Sequence, residues 1–351
     1  MRSDNVLMQV QDLVKHFPAG GGGVVRAVDG VTFDVAKGET LGLVGESGCG
    51  KTTLGRLLCR LQEPTRGTVM FDGVDITALH PKDLRPLRPR IQMIFQDPFS
   101  SLNPHKTIER IISLPLRIRG DKSRTAIRER VGELMQIVGL DSSHANRFPH
   151  QFSGGQRQRI GIARTLAAEP DLIIADEPVA SLDVSIQAQI LQVLRSLQER
   201  LRLTLLFISH DLSVVSHISH RIAVMYLGKI VEIGSARSLI ERPFHPYTQA
   251  LLSAVPRIEP EHHDSPVPLL GDPPSPMAVP SGCRFHTRCP LAITDECHNL
   301  EPSLRELVPG HFAACHLAAT THDQGKEEEK NYAVSTNTHR FPCPTDVPHG
   351  L

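Results

Sequence analysis

The stretch Gly45 to Thr53, GESGCGKTT, constrains this chain more than any other. It has the form of a Gly, four residues, then Gly-Lys-Thr, the phosphate-loop pattern. Gly45, Gly48 and Gly50 let the backbone fold around an anion without Cβ clashes, so successive N–H groups can turn inward. Lys51 brings a positive charge for terminal phosphates, and the hydroxyl of Thr52 suits a magnesium ion, with Ser47 and Thr53 completing the polar lining. The flanks agree. Thr40 to Val44 reads as a buried strand entering the loop, and Leu54, Leu57, Leu58 and Leu61 carry helical spacing away from it. A glycine-rich surface turn would need neither flank.

Composition sets the frame. The chain has 351 residues, enough for two or three domains, with 22% charged and 40% hydrophobic residues, an ordinary globular balance. The formal net charge is zero, which gives no reason to expect a nucleic-acid partner. No apolar run approaches the roughly 18–20 residues that span a bilayer, and the N-terminal stretch has no signal-peptide core. The expectation is a cytosolic protein whose membrane role, if any, comes through a partner. Cys283, Cys289, Cys297 and Cys315 cluster late, which in a cytosolic chain points to a metal or cluster before disulfides.

Along the chain, Leu7 to Val14 and Val28 to Val35 read as strands around the run Gly20 to Gly23. Phe17 has two equal readings, a platform for an adenine ring or a buried strand-end aromatic. Asp72-Gly73 between Gly67–Phe71 and Val74–Ile76 predicts a hairpin. The strand Arg90 to Phe95 ends at Gln96, whose amide could reach a magnesium ion or an attacking water. Asn103 to Val138 is helical in pattern and reads as a mostly helical insertion. Ser153 then suits an N-cap, and Gly154 and Gly155 free the backbone at the start of a helix Gln156 to Ala167, a second anion site. Leu172 to Ala175 drive a buried strand that delivers Asp176 and Glu177 to its carboxyl end. Asp176 suits a magnesium ligand and Glu177 a general base. Ser181-Leu182-Asp183 precedes an amphipathic helix, and the strand Leu203 to Ile208 delivers His210. Arg221 to Tyr226 and Lys229 to Ile233 form a last strand pair.

The ordered set GESGCGKTT, Gln96, Phe152 to Gln156 (FSGGQ), LIIADE, SLD and His210 closely resembles the ABC-transporter ATPase subunit over roughly residues 5–235. The resemblance implies an α/β fold: a RecA-like P-loop NTPase core, an N-terminal antiparallel β subdomain and an α-helical subdomain over about 100–165. It implies ATP and Mg²⁺ as cofactors and a head-to-tail dimer with a second ABC ATPase, sibling or identical. In such a dimer Ser153, Gly154, Gly155 and Gln156 serve the partner's nucleotide and Asp183 makes a cross-dimer contact. Gln96 becomes the magnesium-sensing lever, Glu177 the catalytic base and His210 the γ-phosphate sensor. Phe152 stands where the family usually has Leu, a conservative departure.

Beyond Gly234 the composition changes. Arg242 to Leu252 reads as a proline-punctuated docking helix and Leu269 to Pro276 as a linker. The tract His245 to Cys315, with SGCGKTTLGRLL and IFQDPFSSLNP upstream, resembles the oligopeptide and dipeptide importer branch, which also includes nickel importers. The extension is expected over 236–318 and a disordered tail over 319–351. Four thiolates could hold zinc, an iron–sulfur cluster or nothing; the close Cys pairs of structural zinc sites are missing, and some members of this branch carry a 4Fe–4S cluster on a similar pattern. The resemblance further implies two transmembrane permease subunits, an extracytoplasmic substrate-binding protein acting indirectly, and a peripheral place on the cytoplasmic side of the inner membrane. Peptides are the expected cargo. Nickel or oligosaccharide uptake, or a soluble non-transport ATPase, are the alternatives; the last is disfavoured because the chain carries one motif set and no long coiled coil splits it.

Overall fold

Apolar runs without alternation, such as Leu172–Ala175, need cover on both faces, and the fold supplies it. The computed structural model describes residues 5–97, 101–120, 123–254, 271–292 and 295–318. Its strands are β1 (Val6–Pro18), β2 (Val24–Ala36), β3 (Thr40–Val44), β4 (Arg66–Phe71), β5 (Val74–Asp75), β6 (Ile91–Ile94), β7 (Leu172–Asp176), β8 (Thr204–Ser209), β9 (Arg221–Tyr226), β10 (Lys229–Ser235), β11 (Arg305–Val308) and β12 (His311–Ala313). They form a four-stranded sheet, β2-β1-β4-β5, and an eight-stranded sheet, β11-β12-β10-β9-β3-β8-β7-β6. β9, β3, β8, β7 and β6 run parallel, while β10, β12 and β11 add on antiparallel.

The large sheet separates two cores. Leu41, Leu43, Leu172, Ile174, Leu206 and Ile208 point to one face, where α1 (Lys51–Leu58) and the small sheet cover them. Ile173, Ala175, Leu205, Phe207, Ile222 and Val224 point to the other, against the helical part of the chain. The period-two alternation of strands thus sends one apolar run to two different cores.

Among the described residues, the helical pattern from Asn103 to Val138 divides into two helices, Ile108–Arg119 and Arg124–Ile137. Gly120, at φ 105°, ends the first, and the Ser123 hydroxyl accepts the Ala126 N–H at 3.2 Å to start the second. Ile108, Ile111, Ile112, Ile127, Val131, Leu134 and Val138 are buried, as their spacing predicts. The hairpin at Asp72-Gly73 forms, with φ of 48° and 81° at the two turn residues, as a tight hairpin turn requires. β1 and β2 run further than their apolar cores, to Pro18 and from Val24, so Phe17 lies within a strand. The docking segment is helical only over Pro246–Ser253. Leu269, Leu270 and the tail from residue 319 lie outside the described residues.

The extension joins the core through a buried carboxylate that the sequence did not advertise. Glu232 on β10 has no exposed surface. Its carboxylate accepts the N–H groups of Phe244 (2.7 Å) and His245 (3.0 Å) and faces His311 Nε2 on β12 at 2.8 Å. Burial pushes the His245 imidazole down to about 4, so it is neutral at pH 7.

Replacing one member of such a network strands the others. Glu232→Leu is expected to cost about 3–5 kcal/mol, seen as a lower urea-unfolding midpoint of the full chain. An unchanged midpoint would show that β12 is held without Glu232. Gly155 gives a second case, since a Cβ there would lie 2.4 Å from Ile186 Cγ2. Gly155→Ala is expected to lower stability by about 1–3 kcal/mol on the same assay.

Candidate nucleotide-binding site

Strand β3 runs straight into the phosphate loop, and α1 carries the chain away. Gly50 precedes the helix at φ 111°, and a Cβ there would lie 2.0 Å from the Ala27 carbonyl oxygen, so only glycine fits. Gly48, at φ 79°, also holds a left-handed turn. The loop is tied on several sides. Lys51, 5% exposed, donates from Nζ to the carbonyls of Gly45 (2.7 Å) and Glu46 (3.0 Å). The Gly228 N–H donates to the Cys49 carbonyl at 2.9 Å, fixing the loop to the β9–β10 turn. The Thr52 hydroxyl donates to Asp176 Oδ1 at 3.0 Å. Burial raises the Asp176 carboxyl above its ordinary range, and the bond from Thr52 partly offsets this.

Parallel register brings the ends of β6, β7 and β8 side by side, with Ile94 opposite Ala175 and Asp176 opposite Ile208. Gln96, Glu177 and His210 therefore meet in space although up to 114 positions separate them. Gln96 Nε2 donates to Glu177 Oε2 at 2.9 Å, and His210 Nδ1 lies 3.5 Å from the same oxygen. Lys51 Nζ stands 4.0 Å from Glu177 Oε1. Glu177 takes φ 45°, a left-handed conformation that a side-chain-bearing residue seldom holds, while its N–H donates to the Ile208 carbonyl at 3.0 Å. That turn swings its carboxylate out of the strand and over the loop.

The resulting cleft is lined by Ser47, Gly48, Gly50, Lys51, Thr52, Thr53, Gln96 and Glu177 on one side and by Phe17, Val25, Ala27 and Pro276 on the other. Of the two readings of Phe17, the place is on the cleft wall, with Lys15 Nζ 5.0 Å from its ring centroid. Pro276 was not foreseen. It belongs to the extension, and its carbonyl accepts the Arg26 N–H at 3.1 Å.

The second candidate anion site stands apart from this cleft. Ser153 caps the helix Gly154–Leu166: its Oγ accepts the Gln156 N–H at 3.3 Å, and Gln156 Oε1 accepts the Ser153 N–H at 3.0 Å. Gly155 is also where this helix meets Ile186, a packing demand that the motif reading missed. Asp183 caps the helix Val184–Leu201, accepting the Ile186 N–H at 3.0 Å, and that bond is the main reason its carboxyl is held low.

Cys283, Cys289, Cys297 and Cys315 are buried or half-buried. Burial, the main cause, pushes the Cys283 thiol up to about 11. Burial likewise raises Cys289 and Cys315. Among the described residues, no group of three or more His, Cys, Asp or Glu side chains has the arrangement to hold a metal ion. Two arginines beside these cysteines grip the core. Arg284 donates to Leu227 O and Asp29 Oδ2, both at 2.5 Å, and Arg288 donates to both oxygens of Glu46. No local pattern marks either arginine in the sequence.

Comparison with known proteins agrees with this geometry. The family described as ABC transporter matches residues 28–180, and the one described as oligopeptide/dipeptide transporter, C-terminal region, matches 231–297. The oligopeptide transport ATP-binding protein AppF of Bacillus subtilis is 52% identical over 324 residues, covering 90% of this chain and 98% of that protein. A putative peptide import ATP-binding protein of Brucella ovis is 52% identical over 313 residues, covering 89% of this chain and 98% of its own length. Among solved structures, the dimeric ATP-binding cassette MJ0796 in a post-hydrolysis state with ADP and Pi superposes at a TM-score of 0.61, with 31% identity over 66% of this chain and 99% of that one. The protein cbiO1 of Clostridium perfringens, part of the ABC transporter complex cbiONQ, gives 0.61 at 26% identity over 68% of this chain and 92% of that one. A phosphate loop, three polar strand ends and a C-terminal region of this type, matched along nearly whole relatives, show that the chain belongs to the ABC transporter family, as an ATP-binding subunit with the oligopeptide/dipeptide-transporter C-terminal region.

Proposed function

We propose that this chain binds and hydrolyses ATP to power import of peptides through two membrane permease subunits. The observation that carries the reading is the meeting of Glu177, Gln96, His210 and Lys51 over the phosphate loop. The phosphates would lie on the inward N–H groups of residues 48–53, with Lys51 exchanging its carbonyl partners for phosphate oxygens. Phe17 would carry the adenine. Thr52, Asp176 and Gln96 would hold Mg²⁺, since their hydroxyl, carboxylate and amide oxygens make a hard donor set that suits it. Bound there, the ion would neutralise charge on the β- and γ-phosphates. Glu177 would accept a proton from the water that attacks the γ-phosphorus, as the bond to the β-phosphate oxygen breaks to give ADP and phosphate. His210, on the same carboxylate oxygen, would orient the γ-phosphate.

The helix end at Ser153, Gly154, Gly155 and Gln156 would complete the site of a second cassette in a head-to-tail dimer, with Asp183 across the interface. Its separation from this chain's own cleft supports that reading. Among the described residues no helix is long and apolar enough to cross a membrane. We place the chain peripherally on the cytoplasmic side of the inner membrane, with an extracytoplasmic binding protein delivering cargo. The division follows the sequence: a cassette over 5–235, with helical subdomain about 100–165, and the extension over 236–318. The peptide reading rests on relatives of nearly equal length that bear peptide-import names.

For the four cysteines we favour a 4Fe–4S cluster. Cys297 and Cys315 are buried and Cys283 and Cys289 half-buried, and four cysteine sulfurs are the soft donors such a cluster takes; as placed they do not form a metal-holding group, so a cluster would have to draw them together. Its role would be structural or redox-sensing, since the cysteines do not line the nucleotide cleft.

Two outcomes test these readings. Glu177→Gln should still bind MgATP while steady-state hydrolysis falls by about two to four orders of magnitude, the range for loss of a general base; wild-type turnover would remove Glu177 from the reaction. Anaerobically purified full-length chain should be brown, with iron and acid-labile sulfide; zinc as its sole metal would sink the cluster.

A further inference from the structure

The second residue of the phosphate loop, Glu46, carries a carboxylate into a loop shaped to receive phosphates. Left alone, that charge would oppose the ligand. It is not alone. Arg288 Nη1 donates to Glu46 Oε2 at 2.6 Å and Nη2 donates to Oε1 at 3.0 Å, a two-pronged pair. The Arg288 side chain is 4% exposed, its guanidinium carbon lies 5.9 Å from the Tyr226 ring centroid, and Glu46 is outside the residues that line the cleft. The same loop residue is held at its backbone: the Glu46 N–H donates to Tyr247 Oη at 2.9 Å, and its carbonyl accepts Lys51 Nζ at 3.0 Å. Tyr247, Tyr226 and Phe285 pack ring against ring beneath the pair, with centroids 4.7–5.4 Å apart. Arg288, Phe285 and Tyr247 all come from the chain beyond residue 235, so the extension reaches the loop by side chain, ring stack and backbone together.

We propose that Arg288 is a positioning residue for ATP: by pairing with Glu46 it cancels a negative charge in the phosphate loop and holds that side chain off the phosphates, so that the extension sets the loop's affinity for the nucleotide. The inference rests on the reading of the loop as the ATP site. An arginine is suited to the task because its fork fixes both carboxylate oxygens and its charge persists at any working pH, whereas a lysine would neutralise without orienting. Arg288 is buried and Glu46 is 25% exposed, so removing Arg288 leaves a half-buried carboxylate in the loop without its counter-charge, and its loss should cost more than loss of both partners.

The test is a double-mutant cycle on the full-length chain, with MgATP binding followed by calorimetry and KM by ATPase assay. Wild type that does not bind MgATP would refute the ATP reading itself. If it binds, Arg288→Met should raise Kd about tenfold, with the change falling on KM rather than kcat, within the coupling range of contacting residues. The double variant Arg288→Met/Glu46→Gln should bind at least about fivefold more tightly than Arg288→Met, because the uncompensated carboxylate is gone. Packing alone predicts the reverse: removing a second partner gives no recovery. Equal affinity in wild type and Arg288→Met, or a double variant as weak as the single, overturns the proposal. Should Arg288→Met fail to fold, the neutral, polar Arg288→Gln with and without Glu46→Gln is judged by the same recovery.

Discussion

Everything in this molecule depends on one demand: a short loop must hold several N–H groups pointed at one place, in the absence of any covalent brace. Backbone amides make a good anion cradle only when their directions are fixed beforehand, because ordering a floppy loop would consume the binding energy. Here the bracing comes from every side. The fully buried strand β3 feeds the loop, Lys51 ties its carbonyls from within, Gly228 anchors Cys49 from the β9–β10 turn, and Thr52 reaches Asp176 on β7. Both cores of the large sheet serve this end, since they align the strand ends that surround the loop.

That alignment explains why polar groups far apart in the chain act together. In a parallel sheet the carboxyl ends of neighbouring strands lie at one edge, so each strand can deliver one side chain to the same place. β6 delivers Gln96, β7 delivers Asp176 and Glu177, and β8 delivers His210. The strained turn at Glu177 marks where the fold accepts a local cost to aim a carboxylate. The extension is part of the same structure rather than an appendage. β12 continues the core sheet, Glu232 binds it from below, and Arg288 and Pro276 reach the loop and the cleft wall.

Much of this could be read from residues because it is local. The loop's glycines, the Asp72-Gly73 hairpin, the apolar runs of β7 and β8 and the Ser153 cap are set by neighbours within a few positions. Motif order then placed Gln96, Glu177 and His210 together. What escaped the sequence is long-range. Glu46 and Arg288 are 242 positions apart, and Glu232 and His311 are 79 apart, so no periodicity could link them. The two short strands β11 and β12 lack an apolar alternation of their own and exist because β10 offers an edge. Two motif residues also turned out to do structural work: Gly155 admits Ile186, and Asp183 caps a helix.

The central claim is that the loop from Gly45 to Thr53 is a pre-braced cradle for the phosphates of ATP. The most direct measurement is an experimental structure of the full-length chain with Mg²⁺ and a non-hydrolysable ATP analogue. The account predicts the phosphates against the amides of residues 48–53, Lys51 Nζ moved from the Gly45 and Glu46 carbonyls to phosphate oxygen, the ion beside Thr52 and Gln96, and the base against Phe17. An analogue bound elsewhere, or one that leaves Lys51 on its two carbonyls, would contradict it.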